Sequence, residues 1–392
     1  MEPRLFHPFR AKILIAITED WFALSHFQPL ISKLHKLAAE VVVVTNSSGR
    51  MAEIEALGVR AIAFDYGRSS LHPLRESVRI MRFSRILRAE MPDVVHLIAM
   101  KPVVLGGLAT ELVGTRHTVL HLTGLGFLAI SHTARARLAR TLALAVMRRV
   151  MARPRSWLIV ENPEDLDFVQ GGGVRPGADV TVLGGAGIDP ETFRALEMPQ
   201  HVPPVTAFVG RMIRPKGVQV LMAAQQILKA RNVPHVIELY GRSDDGNPEA
   251  ILPQAIGDWS DGINTRWAGH TSDISGIWRR ASIFVLPALS REGMPRAMLE
   301  AAASARPLVV TDVPGCRHFV RDGVEGLVVA PGDASGLADA LERLIRDPKL
   351  RQRLGDAARA RVLEGYTIAH VEAALERTYR ALVSTTAKVG RG

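Results

Sequence analysis

Short apolar runs rich in β-branched residues alternate along this chain with longer stretches whose apolar positions recur every three or four residues. In the first half the runs are KILIAI (12–17), VVVVT (41–45), VVHLI (94–98), TVLHL (118–122) and WLIV (157–160). A strand that alternates apolar and polar residues is covered on one face, whereas a strand apolar nearly throughout is covered on both. These runs therefore predict buried strands of a parallel sheet with helices on each side. The second half repeats the scheme with VTAFV (205–209), HVIELY (235–240), SIFVLP (282–287), PLVVT (307–311) and GLVVA (326–330), each followed by a turn and usually by a helical pattern. The expectation is an α/β protein of two doubly wound, Rossmann-like domains in tandem.

The stretch EMPQHVPP (197–204) holds three prolines in eight residues, which stiffens an extended connection and blocks a helix. The boundary is drawn there, giving an N-terminal domain 1–198, a C-terminal domain 199–366 and a closing segment 367–392. That segment's helical pattern, TIAHVEAALERTYRALV (367–383), either covers its own domain or crosses back to the first. Open parallel sheets bind ligands outside the carboxyl ends of their strands, so two such sheets facing each other would enclose a central cleft lined by the chemistry.

Composition supports two ordinary cores: 392 residues, of which 47% are apolar and 22% charged, suit two domains and exclude disorder. One cysteine, Cys316, excludes an intramolecular disulfide and fits a reducing, cytoplasmic setting. The N-terminal apolar stretch is too short for a signal peptide, and no apolar run is long enough to span a membrane.

The candidate chemistry begins at GRMIRPKG (210–217), which follows a strand and precedes a helix. Gly210 ends the strand and Gly217 opens the helix, so backbone N–H groups, Arg211 and Lys216 can converge on one anion, with a diphosphate the first candidate. A basic loop in water is the plain alternative. A second stretch, REGMPRAMLE (291–300), also follows a strand, with Pro295 placed in the first turn of a helix. Glu292 in the loop can reach a sugar ring, Glu300 on the helix can accept two adjacent ribose hydroxyls, and the N–H groups of Gly293, Met294, Pro295's neighbours and Arg296 face phosphate at the helix start. Taken singly, Glu292 also reads as a helix-start acid and Glu300 as a surface residue. DLD (165–167) opens a helix where acids suit the dipole, and no metal is predicted.

Together, GRMIRPKG and EGMPRAMLE some eighty residues later resemble the arginine-and-lysine plus Glu-seven-Glu signature of glycosyltransferase family 4, retaining enzymes of the GT-B fold. The resemblance continues through WAGHTSDISGIWRRASIFVLP and TDVPGCRHFVRDGVEGLVVAPGD, and ITEDWFALSHFQPL, KPVVLGGLA, HLTGLGFL and ENPEDLDFV are similar to the subgroup that builds bacterial surface polysaccharides on polyprenyl diphosphate. The resemblance implies that Arg211 and Lys216 hold the donor diphosphate, Glu300 the ribose and Glu292 the donor sugar. It implies no cofactor beyond a nucleotide-sugar co-substrate, with a UDP-sugar and an N-acetylhexosamine preferred. It also suggests a functional histidine at His121, a position that equally suits strand-end packing. Asp20 and Lys101, each after a strand, can meet an acceptor hydroxyl and an acceptor phosphate, or be loop charges in water. The sequence departs from the family pattern in ITEDWFAL, which lacks a glycine pair, in ALSREG, which lacks a tyrosine, and in SARP, where Ala305 replaces a usual glycine.

The net charge of +10 is concentrated: residues 68–155 carry 15 basic side chains against 4 acidic ones. Arg75, Arg79 and Arg82 share a helix face, and TARARLARTLALAVMRRVMARPR (133–155) mixes arginines with apolar residues. Such a surface suits anionic lipid and a polyprenyl-diphosphate-linked or other glycan acceptor, which predicts a peripheral location on the inner face of the plasma membrane. Nucleic-acid binding is the reading from another class, but no zinc pattern or aromatic interleaving accompanies the charge, and no nucleic acid is expected. A sugar-nucleotide epimerase on the same fold is the nearer alternative.

Overall fold

A computed structural model describes residues 9–67, 72–124, 134–175, 179–200, 202–244 and 247–384. Arg68 and residues 125–133 of the basic stretch, residues 176–177 of the glycine-rich GGGVRPG, and residues 385–392 of the closing segment lie outside the described residues. Two compact units form: one joins the chain up to Ala186 with the segment from Ile368 onward, and the other is Gly187–Thr367.

The first unit is built on β1 (Phe9–Glu19), β2 (Ala38–Asn46), β3 (Arg60–Ala63), β4 (Val94–Ile98), β5 (His117–Leu122), β6 (Ser156–Val160) and β7 (Val180–Val182). All pair in parallel, in the order β3-β2-β1-β4-β5-β6-β7, so the winding reverses between β1 and β4. Alternation sorts the side chains: Leu14, Ala16, Val95, Leu97 and Leu120 pack beneath the helices Pro73–Glu90, Met100–Val113 and Ala134–Met151. Ile13, Ile15, Ile17, Ile98 and Val119 face the other way, against Phe27, Leu30, Ile31 and the last helix, Ile368–Ser384.

Of the two placements open to that last helix, the structure takes the crossing. Val371, Leu375 and Tyr379 are buried in the first unit's core, and Lys33 pairs with Glu376 at 3.0 Å while Thr181 and Thr378 share a hydrogen bond of 2.7 Å.

The second unit has β8 (Val205–Val209), β9 (Val236–Tyr240), β10 (Thr265–Gly269), β11 (Ile283–Leu286), β12 (Leu308–Thr311) and β13 (Gly326–Val329). They too are parallel, ordered β10-β9-β8-β11-β12-β13, with the reversal between β8 and β11. Each strand expected from an apolar run is present. β3, β7 and β10 come in addition, and all three are sheet edges. No described helix is long and apolar enough to cross a membrane.

The boundary at 198/199 is corrected to 186/187, and two arginines supply the reason. Arg306 is fully buried, and its guanidinium donates to the carbonyls of Trp278 (2.9 Å), Leu196 (3.3 Å) and Glu197 (2.9 Å). Arg359 donates to the carbonyls of Phe193 and Ala303. Phe193 and Ile188 also join the second unit's core, so the segment before the prolines is docked rather than free. Burial pushes Arg306 down to about 10, which still leaves it charged at neutral pH.

Ala305 ends the helix Arg296–Ala303 in a left-handed conformation, φ 58°. Its N–H reaches the carbonyl of Ala302 and that of Arg306 the carbonyl of Ala301, both at 2.9 Å, the paired 5→2 and 6→1 bonds of a Schellman turn. That geometry demands the glycine whose absence the sequence marks.

Adjacent substitutions should thus act in opposite directions. Arg306→Ala leaves three carbonyls without their donor, that of Trp278 buried, and should cost about 3 kcal/mol in urea unfolding, with new protease sensitivity at 193–198. Ala305→Gly relieves the left-handed strain against glycine's larger unfolded entropy and should stabilise by roughly 0.5 kcal/mol. A stable Arg306→Ala protein with an intact protease pattern would refute the docking role.

Candidate functional site

In the second unit the loops after β8 and β11 meet at the carboxyl edge, beside the reversal of strand order. Residues 210–217 run from the end of β8 through a 3-10 turn, Arg214–Lys216, to the helix Val218–Ala230. Gly217 stands at φ 74°, and a Cβ there would collide with the carbonyl oxygen of Pro287 in the neighbouring loop. Leu289 N–H then bonds to the carbonyl of Pro215 at 2.8 Å. Gly315 acts likewise on the other side: at φ 83° it lets the loop after β12 abut the carbonyl of Gly293, and Glu292 N–H donates to Pro314 at 3.1 Å. Two glycines thus let three loops pack backbone to backbone, and the intervening side chains are pressed together.

The result is an ion pair between the two signature stretches: Lys216 Nζ lies 2.9 Å from both carboxylate oxygens of Glu292, with each side chain less than one-fifth exposed. Arg211 is half exposed and pairs with Asp244 in the loop after β9 at 2.8 Å. The sequence places Arg211 and Lys216 on one anion; here each is held by a carboxylate. Gly210 N–H bonds to the carbonyl of Tyr240 at 2.9 Å, which ties the loop's start to the adjacent strand.

Gly293, Met294 and Pro295 are buried and lead into the helix Arg296–Ala303. Pro295 sits at the N-cap, one residue before the helix it was expected to occupy. Glu300 is 6% exposed, and Arg296 Nε lies 2.8 Å from its Oε1. Burial raises the Glu300 carboxyl above its ordinary range, and the Arg296 charge and hydrogen bond pull the other way. Cys316 is buried and its thiol pushed up, by burial first and by the Glu292 charge second.

In the first unit the carboxyl edge brings together the ends of β1, β4 and β5. Lys101, in the first turn of the helix Met100–Val113, is 3.2 Å from Glu76, which also accepts from Arg79 at 2.9 Å. Desolvation lowers the Lys101 ammonium, with Glu76 opposing. Just before it, Ala99 is held at φ 74°, ψ 163°, a region nearly reserved for glycine, while its N–H bonds to the His121 carbonyl at 3.0 Å.

His121 is 2% exposed on β5. Its Nδ1 is 3.2 Å from His96 Nε2, and His96 Nδ1 is 2.8 Å from the Tyr379 hydroxyl. Phe27 stands edge-on to the His121 ring at 5.4 Å. Burial drives His121 down to about 3 and His96 well below its ordinary value, so both are neutral at pH 7. His121 therefore does not lie open at a strand end.

Asp20 is corrected from acceptor ligand to loop clamp. It is fully buried, and its two oxygens accept from Trp21 N (2.7 Å), Ser48 Oγ (2.6 Å), Ser48 N (2.7 Å) and Arg50 N (3.0 Å). Four donors fill a carboxylate's acceptor positions and leave none for a ligand. Sequence reasoning also missed three participants. Asp244 follows a strand within GRSDDG, His96 is the one polar residue in VVHLI, and Tyr379 carried no signal at all.

Among the described residues no group of three metal-ligating side chains occurs; at DLD, Asp165 N–H is capped by Asn162 Oδ1 at 2.8 Å. What the geometry defines is a protein of two parallel-sheet units, the second with paired cations and carboxylates at its switch point, the strand organisation of a GT-B fold.

Family comparison agrees. A glycosyl transferase 4-like model matches residues 12–153 and a glycosyl transferases group 1 model matches residues 203–347. The chain belongs to these glycosyltransferases, family 4-like enzymes on a GT-B fold. It is 23% identical over 346 residues to the N,N'-diacetylbacillosaminyl-diphospho-undecaprenol alpha-1,3-N-acetylgalactosaminyltransferase of Campylobacter jejuni, covering 85% of this chain and 89% of that one. Among solved structures it is similar in fold to sucrose-phosphate synthase from Thermosynechococcus elongatus (TM-score 0.78, 18% identity, 96% of this chain and 100% of that one). The Anabaena Alr3699/HepE complex with UDP and glucose is comparable, with TM-score 0.76, 17% identity and coverage of 94% and 99%.

The Asp20 geometry has a pH signature. Burial pushes this carboxyl up, but the hydrogen bonds from Ser48, Arg50 and Trp21 outweigh it and leave it below its ordinary range. A depressed folded value adds stability above the unfolded value near 3.9 and loses it as pH falls through the folded one. Asp20→Asn should therefore be less stable than the native protein by about 2 kcal/mol in urea unfolding at pH 7. The gap should narrow below about pH 4; an equal gap at every pH would contradict the clamp.

Proposed function

We propose that this glycosyltransferase moves a sugar from a UDP-sugar to a lipid-linked saccharide acceptor with retention of configuration at the anomeric carbon. The observation that carries the reading is the Lys216–Glu292 contact at the carboxyl edge of β8 and β11. It sets the cation suited to a diphosphate against the carboxylate suited to a sugar. UDP and an N-acetylhexosamine are favoured by the family resemblance and, respectively, by the UDP-bound structural relative and the N-acetylgalactosaminyl-transferring one.

In this reading the incoming diphosphate takes over Lys216 and Arg211 from Glu292 and Asp244. Glu300 accepts the ribose hydroxyls, and the N–H groups at the start of the helix Arg296–Ala303 face phosphate. The bond from the anomeric carbon to the diphosphate oxygen breaks as positive charge spreads over the sugar ring, and negative charge grows on UDP next to the two cations. The acceptor oxygen bonds to the anomeric carbon from the same face, and its proton passes to the departing phosphate oxygen. Arg211 and Lys216, rather than a metal ion, neutralise the leaving group.

The first unit is assigned the acceptor. Lys101 meets the acceptor phosphate, and the buried His121 lies just beneath the edge where the acceptor enters. The helix Pro73–Glu90 carries a groove of about 530 Å³ lined by Leu74, Arg75, Val78, Arg79 and Arg82. Leu74 is 74% and Met81 51% exposed on this helix, next to arginines that face water. Apolar side chains among cations suit an anionic bilayer surface, where each basic residue contributes about 1 kcal/mol.

UDP should raise the melting temperature of the native protein more than GDP or ADP, and Glu300→Ala should shrink that shift. Lys216→Ala should lower kcat by roughly 10²–10³-fold, and EDTA should leave transfer unchanged. Sedimentation with vesicles containing anionic lipid should weaken in Arg75→Ser/Arg82→Ser. No stabilisation by any nucleotide would sink the donor assignment, and turnover of the donor without an acceptor would favour an epimerase.

A further inference from the structure

The hydrogen-bonded row Tyr379–His96–His121 crosses from the last helix to β5, and its protons can be counted. Two neutral imidazoles and one phenol carry three N–H or O–H protons, and two contacts join them, at 2.8 and 3.2 Å. The imidazole planes lie within 18° of parallel with centroids 5.3 Å apart, so the facing nitrogens sit between the rings, as an N–H···N bond requires. Two directions are consistent. In one, Tyr379 O–H donates to His96 Nδ1, His96 Nε2–H donates to His121 Nδ1, and His121 keeps its proton on Nε2. In the other, every bond reverses, His121 Nε2 is bare, and the Tyr379 O–H proton needs an acceptor elsewhere.

Among the described residues the Tyr379 hydroxyl has a single hydrogen-bond partner, His96, and the ring is fully buried. The reversed direction strands a buried O–H donor, a penalty that disfavours it by roughly tenfold or more. We propose that Tyr379, acting through His96, locks His121 as the Nε2–H tautomer. His121 then offers its Nε2 side as a hydrogen-bond donor and is not available there as a general base.

Burial keeps both imidazoles neutral, so no protonated species disturbs the count. Phe27 holds the His121 ring edge-on at 5.4 Å, and the strained Ala99 fixes its carbonyl at 3.0 Å, so the ring is fixed from both its face and its backbone. Tyr379 and His96 are positioning residues; neither need touch a substrate. The tautomer assignment stands on the hydrogen-bond geometry and on the neutrality that burial imposes, and on no assumption about the reaction. Its effect on turnover rests on the transfer reaction proposed above, for which a neutral donor at the acceptor edge orients a hydroxyl or carbonyl oxygen while the proton leaves through the departing phosphate.

The test is two-bond proton–nitrogen correlation NMR on the full-length protein with 15N-labelled histidine, His121 being assigned by loss of its signals in His121→Phe. The native protein should show His121 with a bare-nitrogen shift at Nδ1 and a protonated one at Nε2. In Tyr379→Phe, which removes one oxygen and leaves the ring, the His121 pattern should move to an exchange-averaged mixture of tautomers. A native His121 protonated at Nδ1 overturns the proposal, whether or not any variant folds. An unchanged pattern in Tyr379→Phe overturns the role of Tyr379. In transfer assays Tyr379→Phe should lower kcat/KM about fivefold alone and have no further effect in a His121→Phe background, whereas additive losses would assign Tyr379 to packing only. Absence of any transfer activity would defeat the proposed reaction, while the tautomer would still be decided by the nitrogen shifts.

Discussion

A parallel strand can be followed by its sheet neighbour only if the chain returns to the starting end, and that return constrains this whole molecule. The described returns run mostly as helices, and in the first unit apolar residues pack on both faces of the sheet, so its strands can be apolar nearly throughout. Every loop that follows a strand is left at one edge. Where the winding reverses, at β1/β4 and β8/β11, the connections of adjacent strands leave for opposite faces of the sheet, and at β8/β11 the loops still pack closely enough for side chains to meet. Lys216 and Glu292 are 76 positions apart in sequence and touch because each follows one of two adjacent strands.

The second unit's charged cluster is electrostatically self-satisfied. Lys216 rests on Glu292, Arg211 on Asp244 and Arg296 on Glu300. Unpaired cations clustered in a half-buried pocket would repel one another and strain the loops, whereas paired ones hold the loops at the spacing a ligand needs. In the donor role proposed above, an entering anion would exchange one partner for another with little reorganisation of the backbone, and selectivity would favour a molecule with phosphate at one end and hydroxyls at the other.

Much of this was legible in the sequence, for identifiable reasons. Central strands such as VVVVT and SIFVLP betray themselves because burial on both faces removes polar residues. The edge strands Arg60–Ala63, Val180–Val182 and Thr265–Gly269 are short and partly wet, and their composition resembles loop. Prolines 199, 203 and 204 marked a stretch without a helix, but the boundary depends on what binds that stretch, and a buried arginine more than a hundred residues away leaves no local trace. The meeting of Lys216 and Glu292 was readable because each stretch follows a strand of a parallel sheet. Asp20 follows a strand too, and only the folded positions of Ser48 and Arg50 reveal that its oxygens are occupied. The Tyr379–His96 contact spans 283 positions and lies beyond any local pattern.

The return of the last helix to the first unit has a consequence for biosynthesis. The second unit is one uninterrupted segment and can close as soon as Thr367 has emerged from the ribosome. The first unit, although its strands are made earliest, exposes the face of β1, β4 and β5 until residues 368–384 arrive to cover it. The usual N-to-C order of domain completion is thereby reversed. A nascent chain stalled after Thr367 would present a finished second unit and an unfinished first unit with an open apolar sheet, the kind of surface that chaperones and proteases recognise.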